Sequence, residues 1–120
     1  MEKLIILLGH GSQAVCGNDS LPEMAGMVAK IAGLDVRYAY LQFCAPNLPD
    51  AVKKAVEDGA TEVVIIPYFL HMGNHVIKDI PDEIKALEEE YPGVELRLTE
   101  HLGAHPKLAE IVLERINQLN

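Results

Sequence analysis

Tryptophan is absent from this 120-residue chain, and Phe and Tyr together make up only 5% of it. So few aromatics leave no stacking platform for single-stranded nucleic acid. Cations are also scarce. Ten Lys and Arg face 18 Asp and Glu, for a formal net charge of −8, which opposes a phosphate-tracking surface, since such surfaces need clustered positive charge. Nucleic acid is therefore not an expected partner. Cysteine occurs twice, as Cys16 and Cys44, in no C-x-x-C or zinc-finger spacing. That usage fits a reducing cytoplasmic compartment and predicts free, buried thiols. No long apolar run is present. The run at residues 4–8 stops at Gly9 and His10, too short for a signal h-region or a membrane span, so a soluble cytoplasmic protein without membrane partners is expected. Internal repeats, linkers and low-complexity segments are missing as well.

What is present is 49% hydrophobic residues, enough to bury a core without staples at the size of one domain, residues 1–120. Four apolar runs alternate with four helical patterns, the order of an α/β fold with a parallel sheet. The unbroken runs at 4–8 and at 63–66, leading to Pro67, call for burial on both faces and hence central strands. The runs at 36–41, carrying Arg37, and at 94–98, alternating as Val-Glu-Leu-Arg-Leu, suit edge strands with one wetter face. Right-handed crossovers then give the order 2-1-3-4.

Helical spacing recurs in Leu21, Met24, Ala25, Val28, Ala29 and Ala32; in Leu48, Ala51, Val52, Ala55 and Val56; in Ile77, Ile80, Ile84 and Leu87; and in Leu108, Ile111, Val112, Ile116 and Leu119. Each stripe predicts a face packed on the core. Asn47, Asp79 and Pro106 stand where caps or first turns belong, and Gly33, Gly59 and Gly93 follow helix ends.

In such a sheet the chain leaves the first and third strands in opposite directions, so a crevice opens at their carboxyl ends. There the sequence reads Gly9-His10-Gly11-Ser12 after the first strand and Pro67-Tyr68-Phe69-Leu70-His71-Met72-Gly73-Asn74-His75 after the third. Three of the five histidines fall at this point. Neutral imidazoles bind borderline divalent metals or move protons near neutral pH. His71 fits either solvent or site, and His101 and His105 read as surface or capping residues. Gly9 to Ala14 matches G-x-G-x-x-A, a nucleotide-binding alternative. It lacks the acid that a dinucleotide site places at the end of the second strand, where Tyr40, Leu41 and Gln42 stand. A Walker lysine and a G-x-S-x-G elbow are also missing.

The paired motifs, Gly9-His10-Gly11-Ser12 and the stretch from Pro67 through His75 to Asp79-Ile80-Pro81, resemble the small CbiX-type sirohydrochlorin chelatases. These are relatives of ferrochelatase and of SirB-type proteins in the ATP-independent class II group. The resemblance implies a single chelatase lobe that inserts a divalent metal, Co2+ foremost and Ni2+ or Fe2+ also open, into sirohydrochlorin in cobalamin or siroheme biosynthesis. It assigns His10 as proton acceptor and metal ligand and His75 as second ligand, with no cofactor beyond the metal substrate. Leu70, His71, Met72, Gly73, Asn74 and His75 would line the tetrapyrrole, joined by positions 42 and 45. Those two positions are usually acidic and are Gln42 and Ala45 here, which motivates a second reading as a non-catalytic tetrapyrrole or metal carrier. Larger members carry two lobes around the site, so one lobe implies a homodimer. Lys78 and the start of the third helix near Asp79 are the candidates for offsetting the charge of an anionic macrocycle.

Overall fold

The computed structural model describes residues 2–13, 16 and 20–119. Its elements run β1 (Lys3–Gly9), α1 (Leu21–Ala32), β2 (Asp35–Tyr40), α2 (Leu48–Glu57), β3 (Glu62–Pro67), α3 (Asn74–Glu90), β4 (Glu95–Leu98) and α4 (Pro106–Asn117). The four strands form one parallel sheet in the order β2-β1-β3-β4, as the hydrophobic runs require.

The unbroken apolar run of β1 is explained by two cores, one on each face of the sheet. Leu4, Ile6 and Leu8 join Leu48, Val52, Val63, Ile65, Ile80 and Ile84 beneath α2 and α3. Ile5 and Leu7 join Leu21, Ala25 and Tyr40 beneath α1. Asn47 caps α2, its Oδ1 accepting from the Asp50 amide at 2.8 Å, which satisfies one of the free donors of the first turn. His105 caps α4 in the same way, Nδ1 accepting from the Lys107 amide at 3.1 Å.

Three expectations change. The third helix begins at Asn74, with Gly73 in extended conformation at its N-cap, so Asp79 lies a turn inside the helix rather than at its start. Among the described residues Cys16 and Cys44 are not free thiols. They form a disulfide with Cα atoms 5.4 Å apart, Cys16 exposed and Cys44 buried. The cysteine content therefore no longer supports a reducing compartment. Finally, the stripe on α4 is not core: no residue of α4 is buried, and Ile116 is 56% exposed. The face of the sheet opposite α2 and α3 has α1 on one side only, so Val64 and Ile66 of β3 stay half-buried. Among the described residues no helix is long and apolar enough to cross a membrane.

Candidate functional site

The crevice predicted between β1 and β3 exists as a cavity of about 540 Å³. Its first wall is His10, one residue beyond β1, with Leu41 and Gln42 beyond β2. The loops carrying them are stitched together by backbone, Leu41 N–H donating to the Gly9 carbonyl at 3.0 Å and Gln42 N–H to the His10 carbonyl at 3.3 Å. Gly11 makes this approach possible. Its φ is +89°, and a Cβ there would overlap the Gln42 carbonyl oxygen, so both the backbone conformation and the space demand glycine. Further along the same two loops, the Cys16–Cys44 disulfide joins the pair again.

The His10 ring is held on two sides. Phe69 meets it edge to face with ring centroids 5.5 Å apart, a favoured aromatic arrangement. Gln42 Nε2 lies 3.5 Å from His10 Nδ1. An amide can meet Nδ1 as donor or acceptor according to the tautomer, leaving Nε2 as the second nitrogen of the ring.

The second wall comes from the loop after β3 and from α3: His71, Gly73, Asn74, His75, Val76, Asp79 and Glu83. His75 sits in the first turn of α3, exposed. Asp79 and Glu83 follow it at successive fourfold spacing on one helix face. Burial, and then the charge of Asp79, hold the Glu83 carboxyl above the usual carboxylate range. Among the described residues no three His, Cys, Asp or Glu side chains already converge as a metal cage. The cavity is an open cleft between these two walls.

Of the residues singled out in the sequence, His10, Gln42, His71, Gly73, Asn74 and His75 share this cavity. Ala45, Leu70 and Met72 do not line it. Ala45 is exposed before a cis Ala45–Pro46 bond, Leu70 points largely to solvent, and Met72 lines a separate cleft with Leu98 and His101. Lys78 is exposed and outside the cavity. Phe69, Asp79 and Glu83 belong to the site but were not singled out for it. The last two were legible as the i+4 and i+8 neighbours of His75.

Residues 4–119 match the CbiX family model. Over 95% of this chain and 94% of its own length, the sirohydrochlorin cobaltochelatase of Methanopyrus kandleri is 30% identical. A crystal structure of a CbiX protein from Marinobacter aquaeolei, putatively of cobalamin biosynthesis, covers 97% of this chain and 95% of its own at 30% identity, with a TM-score of 0.76. The cobalt complex of the chelatase SirB from Bacillus subtilis subspecies spizizenii shares the fold at 23% identity and a TM-score of 0.80, this chain matching 98% of itself to 51% of that one. With its GHGS loop and its α3 histidine on facing walls of one cleft, the chain belongs to the CbiX family.

Proposed function

We propose that this protein is a sirohydrochlorin metal chelatase, inserting a divalent ion into the tetrapyrrole without ATP. The observation that carries the reading is that His10 and His75, 65 positions apart in sequence, line the same cleft at the topological switch point of the sheet. Metallation strips water from a dication and releases two pyrrole protons. In this reading His75 ligates the incoming metal, and His10, steadied by Phe69 and Gln42, uses the ring nitrogen not engaged by Gln42 first to ligate it and, once the metal has passed to the macrocycle, to accept a pyrrole proton. Imidazole donors suit Co2+, Ni2+ and Fe2+. Co2+ is placed first because relatives such as that of Methanopyrus kandleri are named cobaltochelatases.

A single lobe of this size supplies only one side of a large macrocycle's site, and we infer that the working unit is a homodimer. Two apolar surfaces support this, the bare stripe of α4 and the half-covered β3 face at Val64 and Ile66. A second copy can cover both.

The test is anaerobic. Sirohydrochlorin is mixed with Co2+, Ni2+ or Fe2+ and its visible spectrum followed with and without protein. The protein is expected to accelerate insertion of at least one metal, and His10→Ala to slow it by about 100-fold or more, the usual worth of a positioned base. Binding of the tetrapyrrole with no acceleration for any metal would instead identify a carrier, the alternative that Gln42 and Ala45 raise.

A further inference from the structure

The Cys16–Cys44 disulfide cross-links the loop that carries His10 to the loop that carries Gln42. Its two ends differ in access. Cys16 is exposed, within reach of an attacking thiolate, whereas Cys44 is buried at 8% exposure.

The backbone between Gln42 and Cys44 is strained. Phe43 has a φ of +67°, and across it the Cys44 N–H donates to the Gln42 carbonyl at 2.8 Å, closing a γ-turn of the rare kind that bulky residues disfavour. Burial of the ring does not impose this turn, since Phe43 is 58% exposed. Strain of this kind persists only where the surroundings hold it. The holding contacts here are the disulfide at Cys44 and the fit of the Gln42 carbonyl against Gly11, where a Cβ would overlap it. What the turn places is the Gln42 amide, whose Nε2 lies 3.5 Å from His10 Nδ1.

We propose that Cys16 and Cys44 form a reversible redox site that sets the His10 ring through Gln42. Closed, the bridge keeps Gln42 against Nδ1. Opened by a dithiol reductant, it releases the turn at residues 42–44 and frees the ring to reorient. One thiolate of the reductant attacks the exposed Cys16 Sγ, forming a mixed disulfide and expelling Cys44 as a thiolate that takes up a proton. The second thiol of the reductant then displaces Cys16, leaving two protein thiols and an oxidised reductant, a transfer of two electrons and two protons. The redox chemistry stands on the disulfide and the strained turn, and its effect on turnover rests on the chelatase reading.

The protein is oxidised with glutathione disulfide or reduced with dithiothreitol, freed of reagent by anaerobic gel filtration, and its thiols are counted by alkylation and mass spectrometry. Both thiols should appear together on reduction and vanish on reoxidation. The His10 imidazole nitrogens, followed by 15N NMR, should shift on reduction towards their positions in Gln42→Ala. Insertion of Co2+ into sirohydrochlorin should slow by about tenfold, the usual worth of a group that orients a ligand, and recover on reoxidation. Cys16→Ser/Cys44→Ser should behave as the reduced protein and ignore reductant. Should it fail to fold, Cys16→Ser, altered only at the exposed end, takes its place. Gln42→Ala should be slow in both redox states. The proposal is overturned by thiols that stay free in glutathione disulfide, by a His10 spectrum that reduction leaves unchanged, or by equal insertion rates in the two states of an active protein. Unfolding of the reduced protein at the assay temperature overturns it too, since the bridge would then be a staple only. Absence of accelerated insertion in either state is the separate failure of the chelatase reading, and the His10 spectrum still decides the switch.

Discussion

Helices α2 and α4 carry the same kind of apolar stripe in sequence and meet opposite fates. In α2, Leu48, Ala51, Val52 and Ala55 are all buried against the sheet. In α4, Ile111, Val112, Leu113 and Ile116 all stay exposed. Periodicity thus specifies that a face will be covered, but not by which molecule. Helix α3 lies between these extremes: Ile80, Ile84 and Leu87 are buried on one side, while His75, Asp79 and Glu83 line the cleft on another.

The sharpest way to break the comparison is paired truncation. Leu48→Ala, in α2, should cost about 2–5 kcal/mol in urea denaturation, the usual range for a fully buried leucine. Ile116→Ala, in α4, should cost less than about 0.5 kcal/mol in dilute monomeric protein. Similar losses would mean that α4 packs on its own chain. A second experiment asks what covers α4. Val112→Asp/Ile116→Asp should leave circular dichroism unchanged and shift sedimentation from dimer to monomer, and a wild type already monomeric at high concentration would refute the homodimer. Removing the caps should give smaller effects. Asn47→Ala should cost about 1 kcal/mol. His105→Ala should cost less, because the first turn of α4 is exposed and water can satisfy its amides.

The smallest effect concerns α3 and has a defined sign. The folded chain holds the Glu83 proton more tightly than the unfolded chain does. That contribution is fully present at acid pH and is lost as pH rises through the folded-state value. Glu83→Gln should therefore raise the unfolding temperature near about pH 8, with the gain shrinking towards about pH 4. A gain that does not vary with pH would locate the effect in packing instead.

Much of this was legible in the chain itself. The unbroken runs of β1 and β3 against the alternation of β4 were enough for strand order, because burial on both faces and on one face leave different patterns. His10 and His75 followed from strand order, since only the carboxyl ends of β1 and β3 diverge into a crevice. The acids of α3 were hidden by a misplaced helix start: Gly73 at the N-cap offers no side-chain signal, so Asp79 read as a cap instead of a cleft residue. The disulfide was hidden by a separation of 28 residues. Adjacent strands β1 and β2 bring both loops to the same end of the sheet, a proximity that spacing motifs do not encode.

The pairing of β1 with β3 sets Leu8 opposite Pro67, and Tyr68 N–H donates to the Leu8 carbonyl at 2.8 Å. Counting two residues onward on each strand arrives at His10 and Phe69, the rings found in contact. The cleft is thus dimensioned in whole residues. Deleting one residue from β1 would draw His10 back by about 3.3 Å and turn it to the other face of the sheet, with no intermediate setting. Side chains around the cleft can be exchanged by degrees, whereas the strand beneath His10 is a ruler whose graduations cannot be subdivided.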